Sequence, residues 1–162
     1  QATLCGLPMV LDADGLNILA AGRVVREPKR DNWILTPHPA EAARLLGTTT
    51  AEIQQDRPAA VQALQQRYGG VAVLKGAGTV VCGADGTVSI CNGGNPGMAS
   101  GGMGDVLSGI IGGLLAQGLK AMDAACLGVC LHAEAADIAA KQGERGLLAS
   151  DLITHLQTLV NP

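Results

Sequence analysis

Three short apolar segments limit what this chain can fold into. PMVLDAD, NWILTPH and VAVLKG each contain a run suited to a buried strand, and each passes directly into polar residues or glycine. The segments between and after them carry helix signals. PAEAARLLG has Pro39 at its start and Gly47 beyond its end, as helix termini prefer. Thr49 and Glu52 have capping-box spacing, and Asp56 can cap RPAAVQALQQRYG, where Pro58 is tolerated in the first turn. TVVCG and TVSICN are joined by Asp85 and Gly86 and read as a hairpin with a two-residue loop. Helices are then expected from Asp105 to Gln117, from about Met122 to Gln142 and from about Ser150 to Val160. The implied architecture is α/β: a mostly parallel sheet flanked by helices, with an antiparallel edge hairpin. Polar groups cluster where the strands end, and that carboxyl edge is where open α/β sheets bind ligands.

Composition narrows the function. The 162 residues correspond to about one domain. Apolar residues make up 48%, but the only large rings are Trp33 and Tyr68, so Ala, Val, Ile, Leu and the 23 glycines must fill the core. A net charge of −3, no basic run and almost no stacking rings argue against nucleic acid as a partner. The longest apolar candidate, Val106 to Ala116, is far shorter than the ~18 residues of a membrane span. Cys5, Cys82, Cys91, Cys126 and Cys130 show no CxxC spacing and sit in apolar stretches, so reduced, buried thiols in a cytoplasmic protein are expected.

The stretch NPGMASGGMGDVLSGIIGGLLAQG, Asn95 to Gly118, carries the chemistry. Gly101, Gly102, Met103 and Gly104 lead into a helix, and glycines at a helix start let unpaired backbone amides approach an anion. Asp105 would repel a phosphate directly. Beside such a cradle it can act as a base on a substrate hydroxyl, or it can simply cap its helix. Capping leaves the glycine run unexplained. In VLKGAGTVV, Lys75 precedes a permissive turn, Gly76, Ala77, Gly78 and Thr79, which suits a nucleotide phosphate or a plain tight turn. His38 lies between two prolines that fix its backbone. His132, near Glu134 and Asp137, reads as packing or capping, and Cys126 and Cys130 share a helix face. Gly109 and Gly113, also four apart, would permit close helix approach. His155 has no companion that suggests chemistry.

Together, LDADGLN (Leu11 to Asn17), LTPHPAE (Leu35 to Glu41), LKGAGT (Leu74 to Thr79) and NPGMASGGMGDVLSG (Asn95 to Gly109) resemble the ribokinase-like NAD(P)H-hydrate dehydratase family. The resemblance spans nearly the whole chain. It implies a hydro-lyase that transfers a phosphoryl group from ADP to the hydroxyl of hydrated NADH or NADPH and then eliminates phosphate. By motif, Asp105 would be the base and contact the hydrated ring, and the amides around Gly102 and Gly104 would stabilise the moving phosphoryl group. His38, with Asp14 and Asn17, would face the hydrated cofactor, while Lys75, Gly76, Ala77, Gly78, Thr79 and Gly104 would bind the nucleotide. Magnesium is expected with ADP, without a protein-made metal site. Family members carry an upstream part of the sheet and a GPG-type turn, so residues 1–162 read as the C-terminal portion of one such domain, with a strand edge left open. The missing part could come from another fragment, or the chain could be a remnant with reduced activity. The resemblance also implies a fused or separate epimerase, while the large apolar helix faces point to a homo-oligomer. Two other readings stay open: an ATP-dependent small-molecule kinase of the hydroxyethylthiazole or hydroxymethylpyrimidine type, and a non-catalytic nucleotide-binding module.

Overall fold

The computed structural model describes residues 6–23 and 28–161, so Cys5 lies outside the described residues. In chain order the elements are β1 (Met9–Leu11), α1 (Asp14–Ala21), β2 (Trp33–Leu35), α2 (Pro39–Leu46), α3 (Thr50–Gln55), α4 (Arg57–Tyr68), β3 (Val71–Leu74), β4 (Thr79–Cys82), β5 (Val88–Cys91), α5 (Met103–Ala116), α6 (Ala121–Ala139) and α7 (Ala149–Leu159). The five strands form one sheet in the order β1-β2-β3-β4-β5. β1, β2 and β3 are parallel, whereas β4 and β5 add an antiparallel hairpin at one edge. At the opposite edge β1 pairs with β2 alone.

Side chains alternate across the sheet, and both faces are covered. Trp33, Leu35, Ala72 and Leu74 point into one core with Leu16, Leu45, Val61 and Leu64 of α1, α2 and α4. Ile34, Val71, Val73 and Val81 point into the other, against Leu107 and Ile111 of α5 and Ala125 and Val129 of α6. This explains why the strands read as continuous apolar runs. The two aromatic residues tie the first core together: Trp33 Nε1 donates to the Tyr68 carbonyl at 2.8 Å, and Tyr68 Oη to the Leu45 carbonyl at 2.8 Å. α7 packs on α6 with Leu152 fully buried.

Local signals set most helix ends. Thr49 and Glu52 form the expected reciprocal box at α3, Asp56 accepts from Ala59 N–H at 2.9 Å, and Pro39 opens α2. α5 starts two residues before Asp105, because Gly102 in the left-handed region serves as its N-cap. Two expectations change. The hairpin loop is longer than Asp85 and Gly86: Gly86 N–H donates to the Gly83 carbonyl, and Gly83 N–H pairs with the Thr87 carbonyl, both at 3.0 Å. Gly109 and Gly113 do not mediate helix approach, since a Cβ on either would meet nothing within 4 Å. The close contact is at Gly128, where a Cβ would stand 2.6 Å from Ile111 Cγ1. The described cysteines are free, but only Cys82 is buried, and Cys130 is exposed.

Candidate active site

The parallel register brings the ends of β1, β2 and β3 to one edge, and each strand delivers a functional group there. Asp12 follows β1. Its Oδ1 lies 2.6 Å from Lys75 Nζ and accepts from Ala13 N–H at 2.9 Å, while Oδ2 accepts from Ser108 Oγ of α5 at 2.8 Å. Burial pushes the Asp12 carboxyl up, but the hydrogen bond and charge of Lys75, with the bonds from Ser108 and Ala13, outweigh it and hold the pKa below the usual 3.8. Ala13 sits at φ 46°, a conformation an alanine rarely adopts, so the chain leaves β1 strained at the point where Asp12 turns towards Lys75.

Lys75 follows β3 and is the hub. Its N–H donates to the Pro37 carbonyl at 2.9 Å, which ties the end of β3 to the end of β2. Its Nζ also lies 3.9 Å from Glu41 Oε2, and a Cβ on Gly104 would be 3.2 Å from that same nitrogen. Glu41 is buried and accepts from His38 N–H at 2.8 Å. Since His38 Nδ1 accepts from Ala40 N–H at 3.1 Å, the neutral ring carries its proton on Nε2, 3.6 Å from Glu41 Oε2. His38, Glu41, Lys75, Asp12 and Ser108 therefore form one connected set.

Lys75 also lines a cavity of about 540 Å³. Its walls include Lys75, Gly76, Ala77, Gly78, Thr79 and Gly104, all six expected nucleotide-binding residues. Arg57 of α4 holds the turn from behind, donating to the carbonyls of Leu74 at 3.0 Å and Gly78 at 3.2 Å. The opposite wall, Asn92 to Asn95, is fixed by Asp137 of α6, which accepts from Gly94 N–H and from Asn95 Nδ2, each at 2.9 Å. Leu107, Val129 and Ala133 make the floor apolar. Such a space suits a flat apolar group with an anion at the end formed by Lys75 and the start of α5.

The remaining expected residues lie outside this cavity. Asp105 is exposed, at the third position of α5, one residue beyond the Gly104 wall. No side chain caps this helix, so the capping role is not observed. Gly102 is exposed beside Ala149. His38 is not among the cavity-lining residues and joins the set through Glu41. Asp14 and Asn17 pair weakly at 3.5 Å on the exposed surface of α1, while Asp12, two residues earlier in the same motif, meets Lys75. Asp12, Glu41, Ser108, Arg57, Asp137 and His132 are additions to the residues picked from sequence. His132 is buried on the cavity wall and caps no helix.

The sheet order, helices on both faces and a cavity at the carboxyl edge beside a glycine-led helix define a ribokinase-like α/β protein. Residues 2–158 match the NAD(P)H-hydrate dehydratase family. The bifunctional NAD(P)H-hydrate repair enzyme of Escherichia coli is 58% identical over 156 residues, covering 96% of this chain and 30% of that protein. The ADP-dependent (S)-NAD(P)H-hydrate dehydratase of Neisseria meningitidis is 49% identical, covering 95% of this chain and 53% of its own length. Among solved structures, the ADP/ATP-dependent NAD(P)H-hydrate dehydratase of Bacillus subtilis, co-crystallised with ATP and Mg2+, superposes with a TM-score of 0.81 at 31% identity over 95% of this chain and 54% of that one. This chain belongs to the NAD(P)H-hydrate dehydratase family. It spans about half the length of its single-function relatives.

Proposed function

We propose that this chain carries the ADP site and the phosphoryl-transfer residues of an ADP-dependent NAD(P)H-hydrate dehydratase, a hydro-lyase that repairs hydrated nicotinamide cofactors. One observation carries the reading: segments far apart in sequence meet around Lys75, which also lines the cavity together with the 76–79 turn and Gly104. In this reading ADP lies in the cavity with its diphosphate against Lys75, the 76–79 turn and the first amides of α5. The hydrated cofactor approaches from the His38 and Asp105 side.

The hydroxyl oxygen of the hydrated ring attacks the terminal phosphorus of ADP and the phosphoanhydride bond breaks, releasing AMP. The hydroxyl proton passes to Asp105. Lys75 and the α5 amides offset the charge that accumulates on the phosphoryl oxygens. Phosphate then leaves the ring carbon as a proton is lost from its neighbour, which restores the dihydronicotinamide. Magnesium enters as part of the MgADP substrate: among the described residues no cluster of three His, Cys, Asp or Glu could hold it, and Asp12 is committed to Lys75. A fused or separate epimerase, a homo-oligomer and the cytoplasm, where these cofactors are used, belong to the same reading. No helix among the described residues is long and apolar enough to cross a membrane.

The test is to incubate the chain with hydrated NADH, MgADP and buffer while recording the absorbance of regenerated NADH and the release of AMP and phosphate. Recovery of NADH in step with AMP is the expected result. Consumption of nucleotide without NADH recovery would point to a small-molecule kinase, and binding without consumption to a nucleotide-binding module.

A further inference from the structure

His132 has no part in the chemistry above, yet it is the one histidine on the cavity wall, and its surroundings do not satisfy it. The residue is 8% exposed, it lines the cavity with Val129 and Ala133 on the same face of α6, and its Nε2 is buried with no hydrogen-bond partner. A buried nitrogen left unpaired costs about 1–3 kcal/mol, a penalty that a ligand donor would remove. The Met103 backbone lies near the ring and favours its protonated form, as a carbonyl does. With the Nδ1 proton directed at that group, the unpartnered Nε2 of the neutral ring is a lone-pair acceptor. Burial, then the charge of Lys75, push the imidazole below its usual 6.5 against the pull of Met103, so the acceptor state is the one present at neutral pH.

We infer that His132 Nε2 accepts a hydrogen bond from a neutral donor on the nucleoside part of the bound nucleotide, a ribose hydroxyl or the base amino group, and so selects which nucleotide the cavity takes. The inference rests on the reading that ADP occupies the cavity. Phosphate oxygens are excluded as the partner by chemistry, since they accept and do not donate. The cavity-lining residues beside it on α6, Val129 and Ala133, carry no side-chain polar atoms, and no side chain of the cavity wall is bonded to Nε2.

The experiment measures dissociation constants by calorimetry for ADP, 2′-deoxy-ADP, 3′-deoxy-ADP and purine riboside diphosphate, which lacks the amino group. The proteins are the wild-type chain, His132→Phe and His132→Gln. The expected result is that wild type binds one of the three analogues about three- to tenfold more weakly than ADP. In His132→Phe that one difference vanishes, and in His132→Gln, whose amide oxygen can stand near the Nε2 position, it returns in part. The analogue affected identifies the donor. A His132→Phe protein that weakens ADP and all three analogues in the same proportion would overturn the inference, because that is the signature of a purely structural side chain. Wild-type chain that binds no ADP would remove the nucleotide reading itself. Should His132→Phe fail to fold, nitrogen NMR of histidine-labelled wild type gives the same decision: the Nε2 resonance of His132 must move with ADP and stay in place with the analogue that lacks the donor.

Discussion

Asp12 and Lys75 meet at 2.6 Å with their side chains only 13% and 18% exposed, so each is poorly placed to recover hydration if the other is removed. The folded-state pKa of Asp12 is depressed, so its contribution to stability is complete above the ordinary value of 3.8 and is lost as pH falls through the lower folded value. Asp12→Asn is therefore expected to cost about 1–3 kcal/mol at neutral pH. Its melting temperature should converge on that of wild type only below about pH 4. A constant difference down to strong acid would show that the pair is not ionic. Asp105 differs in having no partner to lose. Asp105→Asn should bind ADP within about threefold of wild type while NADH recovery falls by about 10²–10⁴, the usual range for a lost general base. Equal loss of both would return Asp105 to a structural role. Lys75 and Gly104 were legible in the sequence because strand ends and glycine-led helix starts announce themselves locally. Asp12 was not, since LDADGLN offers two carboxylates and an alanine in the left-handed region decides which one turns inward.

Capping boxes and proline-led starts lie within four residues of the ends they determine, which is why the helix termini in the middle of the chain could be read in advance. α1 could not: it has eight residues and no side-chain cap, and is held by Leu16 and Leu19 buried against the sheet. Helix contacts also depend on partners distant in sequence. Gly109 and Gly113 have a glycine spacing that suggests close approach, yet both are exposed and open to solvent, whereas the unremarked Gly128 takes the side chain of Ile111. The consequences are opposite in sign. Gly109→Ala and Gly113→Ala should each stabilise the chain by about 0.5–1 kcal/mol, by lowering the entropy lost on helix formation. Gly128→Ala should destabilise it by about 1–3 kcal/mol through overpacking between α5 and α6. Urea titrations of the three variants check this, and a stabilised Gly128→Ala would mean the two helices part more easily than their contact implies.

At the scale of the whole molecule the sheet order makes Lys75 a single hub, and this arrangement rests on pairings between strand residues up to 37 positions apart that no local pattern encodes. From the residues themselves only the general rule that ligands gather at strand carboxyl ends was available; the grouping of Lys75, His38 and Gly104 into one site came from the resemblance of the four motifs. All six expected nucleotide-binding residues line one cavity, so this chain is expected to bind ADP. At about a hundred times its dissociation constant, ADP should then stabilise the fold by about 2.7 kcal/mol. For a chain of this size that corresponds to a rise in melting temperature of about 5–10 °C. Gly104→Val is the matched control, because its side chain would start 3.2 Å from Lys75 Nζ and project from the cavity wall at a helix position that tolerates a side chain. The unliganded protein should melt below wild type, because the Asp12–Lys75 pair must shift around the new side chain, and ADP should raise its melting temperature by less than half as much as in wild type. An undiminished shift in Gly104→Val would place the nucleotide elsewhere on the molecule, and no shift in wild type would mean that the cavity is not a nucleotide site.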